Sequence, residues 1–236
     1  MTTDSRERPP TVAVINATPA SVGPAKAAIA AGFPEATVWS LLDDRLVTDA
    51  EAAGGLTPQL SDRMATLISY AVQGGADAIL LACSMYGPVL DSQRQTSSVP
   101  MLSSDEELFA EVARCGFGSV LLLGPLPPAV QDSVDRLRKV LAGSERSSST
   151  EVVGKVASGA PAAVAGGDVG ALEKVLAAAA SPHLKDVDAV ILANFSLAPA
   201  RAGLERTIRK PVLSPPLLAA AALRARVVGE ESVGLR

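Results

Sequence analysis

Short, continuous apolar runs alternate along this chain with longer stretches of helical periodicity. "TVAVINA" (11–17) is followed by a helical pattern near 22–32, "ATVWSLL" (36–42) by a long one near 57–74, and then comes "ADAILLAC" (76–83). A strand with one solvated face alternates apolar and polar residues, whereas a strand buried on both faces reads as an unbroken apolar run. Parallel neighbours also need crossover connections of a dozen or more residues, which the helical stretches supply. The pattern predicts an α/β chain of parallel sheets covered by helices.

The series then begins again. "SVLLLGPLPPAV" (119–130) mirrors "TVAVINATPASV" (11–22), displaced by 119 − 11 = 108 residues. "VDAVILANFSLAP" (187–199) repeats "ADAILLACSMYGP" (76–88), and "KPVLS" (210–214) repeats "VPMLS" (99–103), both displaced by 111 (187 − 76 and 210 − 99). Three segments in one order at nearly one spacing predict an internal duplication. Parallel sheets bind ligands at the loops following their strands, so the site is expected in a cleft shared by the two halves. Its walls would carry Asn16 and Thr18, Cys83 to Tyr86, Gly124 to Leu126, and Asn194 to Ser196.

Composition narrows the chemistry. Aromatic residues make up 3% of the 236, so the core is aliphatic and little stacking surface is left for bases. A net charge of −4 with no dense Lys/Arg stripe argues against nucleic acid and favours small solutes. The polar start and the lack of an apolar run long enough to span a bilayer predict a cytoplasmic protein with no membrane partner. Two cysteines and one histidine give neither a disulfide framework nor zinc spacing, so no metal is expected. The glycines of "CGFGSV" precede their strand and match no dinucleotide fingerprint. His183, Asp77 and Asp188 stand before strands, at the far end from the expected site, and "AGSERSSST" (142–150) reads as an exposed loop.

The two cysteines differ in position. Cys115 sits at a helix end before a strand and reads as a small buried apolar side chain. Cys83 follows a buried strand and precedes "SMYGP"; it is either a small core residue or a thiolate acting as acid/base or nucleophile. The amides of Ser84 to Gly87 at the strand-to-helix turn would lower the pKa of such a thiol and could hold a substrate carboxylate. Asn16, Thr18, Ser84, Asn194 and Ser196, with Met85 and Phe195 beside them, are candidate substrate-binding residues, with helix capping the competing role for the polar ones. Tyr86 either closes the pocket, donates its hydroxyl or packs in the core. Pro125, Pro127 and Pro128 remove amide donors and make the second half's wall more apolar.

The duplicated halves, "LLACSMYGP" and its echo "ILANFSLAP", each followed by a proline-led strand, resemble the aspartate/glutamate/hydantoin racemase superfamily, which also includes maleate isomerase and arylmalonate decarboxylase. The resemblance covers nearly the whole chain. It implies two pseudo-symmetric flavodoxin-like domains, here 1–100 completed by 214–236, and 101–213, with the site between them. It also implies cofactor-independent carbanion chemistry on small carboxylates, with a cysteine from each half facing the substrate. Cys83 takes the first cysteine position, but 83 + 111 = 194 places Asn194 at the second. Inversion needs one group to take a proton and another to deliver one on the opposite face, and an amide does neither near neutral pH. The expectation is therefore a single-cysteine isomerase or carbon–carbon lyase acting through a carbanion, an enolate or a thiol adduct. An amino-acid racemase proper and a catalytically reduced small-acid binding protein are the alternatives. Superfamily members are often homodimers or higher homo-oligomers.

Overall fold

The structure is a computed structural model and describes residues 8–229. The chain divides into two compact units, one of residues 1–103 and 219–236, the other of residues 104–218.

In the first unit the elements run β1 (Thr11–Asn16), α1 (Pro19–Gly32), β2 (Thr37–Leu42), α2 (Leu46–Ala52), α3 (Pro58–Gln73), β3 (Ala78–Leu81), α4 (Gly87–Arg94) and β4 (Met101–Ser103). The strands form a parallel sheet in the order β2-β1-β3-β4. The second unit repeats this plan with α5 (Glu106–Cys115), β5 (Ser119–Gly124), α6 (Pro127–Ala142), β6 (Glu151–Val156), α7 (Ala160–Ala165), α8 (Val169–Ala180), β7 (Ala189–Leu192), α9 (Arg201–Ile208) and β8 (Val212–Leu213). Its sheet has the order β6-β5-β7-β8, also parallel. The last helix, α10 (Pro215–Val228), gives its residues from Ala219 onward to the first unit, where Arg224 pairs with Glu35 at 2.5 Å.

The apolar runs occupy the central strands because both faces there are covered. Val12 to Ile15, Ala78 to Leu81, Val120 to Leu123 and Ala189 to Leu192 are all fully buried. Threonine caps start two of the first unit's helices: Thr18 accepts from the Ala20 amide before α1, and Thr57 from the Leu60 amide before α3, each followed by proline at the first helical position. The repeated aspartates act as clamps at the strand starts. Asp77 accepts from the Thr11 amide at 2.7 Å, and Asp188 accepts from the Gly118 and Ser119 amides at 2.8 and 2.9 Å. The stretch 142–150 is largely exposed, with one exception: Ser147 is buried and donates to the Ala113 carbonyl at 2.6 Å.

Candidate functional site

Cys83 stands two residues beyond β3, half-buried and extended (φ −138°, ψ 116°), where a one-turn 3-10 helix of Ser84–Tyr86 begins and runs on into α4. The turn forms because Gly87 and Pro88 open α4 immediately afterwards: proline at a helix's start lacks only an amide that would have no intrahelical partner. Asn194 stands two residues beyond β7, extended (φ −123°, ψ 147°), at the head of the 3-10 stretch Phe195–Ala200. The two residues therefore occupy the same place in two copies of one local fold.

The polar residues picked out by sequence fall into two groups. Asn16 is fully buried and its amide is saturated: Nδ2 donates to the Val14 carbonyl, Ser40 Oγ and the Leu41 carbonyl at 3.1 to 3.2 Å, while Oδ1 accepts from Ser21 Oγ at 2.8 Å. Thr18 is the helix cap just described. Asn194, Ser84 and Ser196 are half-buried, and none of their side chains has a hydrogen-bond partner among the described residues. The Asn194 Oδ1 atom is buried and unpaired, near Gly124 at the end of β5, where a Cβ would come within 3.7 Å of it. That Cβ would also meet Val130 at 2.8 Å, so position 124 has room only for glycine unless Val130 shifts. An unpaired buried acceptor costs about 1–3 kcal/mol, and a ligand donor could supply the missing bond.

The larger side chains turn inward. Met85 packs against the first unit's core, and Phe195 is 2% exposed. Tyr86 is fully buried and donates its hydroxyl to the Leu46 carbonyl at 2.8 Å, fastening the Cys83 turn to the start of α2. Burial first, and the nearby Cys83 thiol second, push the Tyr86 pKa up to about 12, so the phenol stays protonated at neutral pH. In the second unit Pro127 and Pro128 form the first turn of α6, and Leu126 at its cap is 41% exposed, so the start of this helix offers few amides and an apolar surface.

Cys115 departs from the sequence expectation. It lies at the end of α5 as read, but it is exposed, because the left-handed turn at Gly116 (φ +67°) ends the helix at the surface. Burial of the sulfur and the neighbouring Glu111 carboxylate hold its thiol pKa above the usual value. Two further serines stand at strand ends. Ser103 ends β4, is 4% exposed and packs against Gly87, the residue after the Cys83 turn; Ser214 follows β8 and is 8% exposed. Their signal lay in the paired "VPMLS" and "KPVLS", each of which closes on serine at a strand end.

Among the described residues no group of three or more His, Cys, Asp or Glu side chains is placed to hold a metal ion, and no helix is long and apolar enough to cross a membrane. In overall fold the chain is similar to an aspartate racemase from Picrophilus torridus (17% identity, 93% of this chain and 94% of that one, TM-score 0.72). It is also similar to glutamate racemase isoform RacE1 from Bacillus anthracis (14%, 93% and 82%, 0.71) and to an unliganded arylmalonate decarboxylase (16%, 94% and 94%, 0.58). No curated protein is significantly similar to it in sequence. The family model for Asp/Glu/Hydantoin racemase matches residues 15–223, and the chain belongs to that family.

Proposed function

We propose that this family member is a cofactor-independent enzyme that acts on a small carboxylic acid or a related compound with one thiol, Cys83, as its proton-transferring group. The observation that carries the reading is the occupant of the second cysteine position. Asn194 repeats the place of Cys83 in strand order, backbone conformation and following turn, yet it brings an amide whose hydrogen-bonding capacity is open. An amide can bind a substrate oxygen or nitrogen but cannot relay a proton at neutral pH.

One thiol suits chemistry in which a carbanion or enolate is protonated on one face only. In a decarboxylation the electron pair of the C–C bond stays on the α-carbon as carbon dioxide leaves. The Cys83 S–H then delivers its proton to that carbon, and the thiolate recovers a proton from water. In an exchange reaction the thiolate removes the α-proton and returns a solvent-derived one to the same face. Ser84 and Asn194, with Ser196, are assigned as substrate-binding groups, and the amides of the turn after Cys83 as donors to the carboxylate or enolate oxygen. Tyr86 and Asn16 hold the loops in place through the bonds described above. Small carboxylates are the assigned class because the neighbours named as racemases and a decarboxylase act on such acids.

The test is turnover of a panel of small malonic and α-substituted acids by the parent and by Cys83→Ser. Turnover with retained configuration, lost in Cys83→Ser, is expected. Turnover unchanged in Cys83→Ser refutes the thiol mechanism, and binding without turnover by the parent would favour a small-acid binding protein.

A further inference from the structure

The duplication supplies an internal comparison for the surroundings of Cys83. In the first unit α2 has only seven residues and no side-chain cap at its start, so it depends on its neighbours to persist. Arg63 of α3 holds it with a guanidinium that spans two carboxylates: Nε and Nη2 each meet an Asp43 oxygen at 2.5 Å, and Nη1 donates to Asp49 at 2.8 Å. Asp43 stands three residues before Leu46 and Asp49 three after it, so the fork brackets the first residue of the helix. Leu46 is fully buried, and its carbonyl accepts the Tyr86 hydroxyl at 2.8 Å. Tyr86 in turn closes the 3-10 turn that Cys83 heads. The connections run from Arg63 through α2 and Tyr86 to the turn of the thiol. The hydrogen bond from Arg63 holds the Asp49 carboxyl below its usual pKa, and Cys83, Arg63, Asp43 and Asp49 all bear electrostatically on the Tyr86 phenol.

None of these residues recurs in the second unit. β6 and α7 follow β2 and α2 at a displacement of 114 (151 − 37 and 160 − 46), which puts Ala157 in the place of Asp43 and Ala163 in that of Asp49. α8 and β7 follow α3 and β3 at 111 (169 − 58 and 189 − 78), which puts the exposed Lys174 in the place of Arg63 and Leu197 in that of Tyr86. The half with Asn194 therefore completes the same fold without the network, and the half with Cys83 carries all of it. A device required only by the fold would be wanted in both.

We propose that Arg63 is a positioning residue for Cys83: its fork fixes α2, α2 fixes Tyr86, and Tyr86 fixes the turn whose leading amides serve the thiolate. The inference rests on the one-thiol reading of Cys83. It assigns the role to the shape of the guanidinium and not to its charge alone. A lysine at 63 would keep the charge, but a single ammonium on a flexible stem cannot reproduce a planar fork across two carboxylates. Clamp and charge are therefore separable by substitution.

The test is alkylation of Cys83 by iodoacetamide in the full chain carrying Cys115→Ser, at about pH 7 and about pH 10, on either side of the usual thiol range. The ratio of the two rates cancels differences in access to the sulfur and reads the share of thiolate at neutral pH. In Arg63→Lys the ratio should fall about threefold or more, a rise of about half a unit in the thiol pKa. Tyr86→Phe should lower it as well, and the double variant should fall no further than Tyr86→Phe alone. Asp49→Asn removes one arm of the fork and should lower the ratio in the same direction. A ratio unchanged in Arg63→Lys or in Asp49→Asn, in protein whose circular dichroism matches the parent's, overturns the proposal. So does a ratio lost only in Arg63→Gln, which would make Arg63 a charge and not a clamp. Factors that multiply in the double variant also overturn it, because Arg63 would then act by a path that bypasses Tyr86. The assay uses no substrate, so a failure of the clamp and a failure of the one-thiol mechanism are read in separate experiments.

Discussion

Asn16 and Asn194 both stand at the end of a buried strand, yet their replacement should have very unequal consequences for stability. Truncating Asn16 to alanine removes three contacts made by Nδ2 and one accepted by Oδ1, all in a site with no solvent access. Its two N–H hydrogens shared among three acceptors, with the Ser21 bond, amount to about three net hydrogen bonds at about 1 kcal/mol each. The Ser21 and Ser40 hydroxyls also lose a partner, so the expected loss is about 3–4 kcal/mol. Asn194→Ala removes an amide with no protein partner and a buried acceptor that is itself unfavourable. Its effect on the ligand-free protein should lie within about 1 kcal/mol of zero. Urea unfolding of both variants reads the difference, as does thermal unfolding, where about 3 kcal/mol corresponds to roughly 6–12 °C for a chain of this size. Equal destabilisation by the two changes would refute the division into a structural asparagine and a ligand-facing one.

Tyr86→Phe should weaken the attachment of the Cys83 turn to α2 and also change the alkaline limit of stability. Because the folded-state pKa is raised from 10.0 to about 12, the group's contribution is present below about 10 and lost as pH rises through about 12. The phenylalanine variant should lack that share of the decline when unfolding free energies are compared on either side of this window, and an unchanged decline contradicts the assignment. Cys115, although exposed, should react with iodoacetamide more slowly than a small free thiol at neutral pH, since burial and Glu111 disfavour its thiolate; the rate is read in a Cys83→Ser background, and a faster reaction counts against this. Cys115→Ser should leave turnover intact.

The fold was legible because its signals are local and repeated. Unbroken apolar runs such as "AILL" and "AVIL" declare strands buried on both faces, and the spacing of their echoes declares the duplication. α2 escaped because seven residues of "LVTDAEA" give less than two turns of periodicity, and it is held from outside by Tyr86 and by Arg63, which pairs with Asp43 and Asp49. The strand-end positions of the candidate residues were legible on the same terms, but the state of each side chain was not. Whether an asparagine is saturated depends on Ser21 and Ser40, partners up to 24 residues away on other elements. Tyr86 could be read as lid or core until its hydroxyl met Leu46, 40 residues earlier. Cys115 was read as buried because free cysteine is so often a small core residue, whereas the helix that carries it ends at the surface.

The most direct measurement of the central claim is proton NMR of a turned-over acid in deuterium oxide, following both isotope content and configuration at the α-carbon. One-thiol chemistry predicts deuterium entering from a single face with configuration retained, or a single enantiomer of a decarboxylated product, and neither in Cys83→Ser. Accumulation of the opposite enantiomer, each molecule carrying one solvent deuteron, would show a second acid opposite Cys83 and contradict the account.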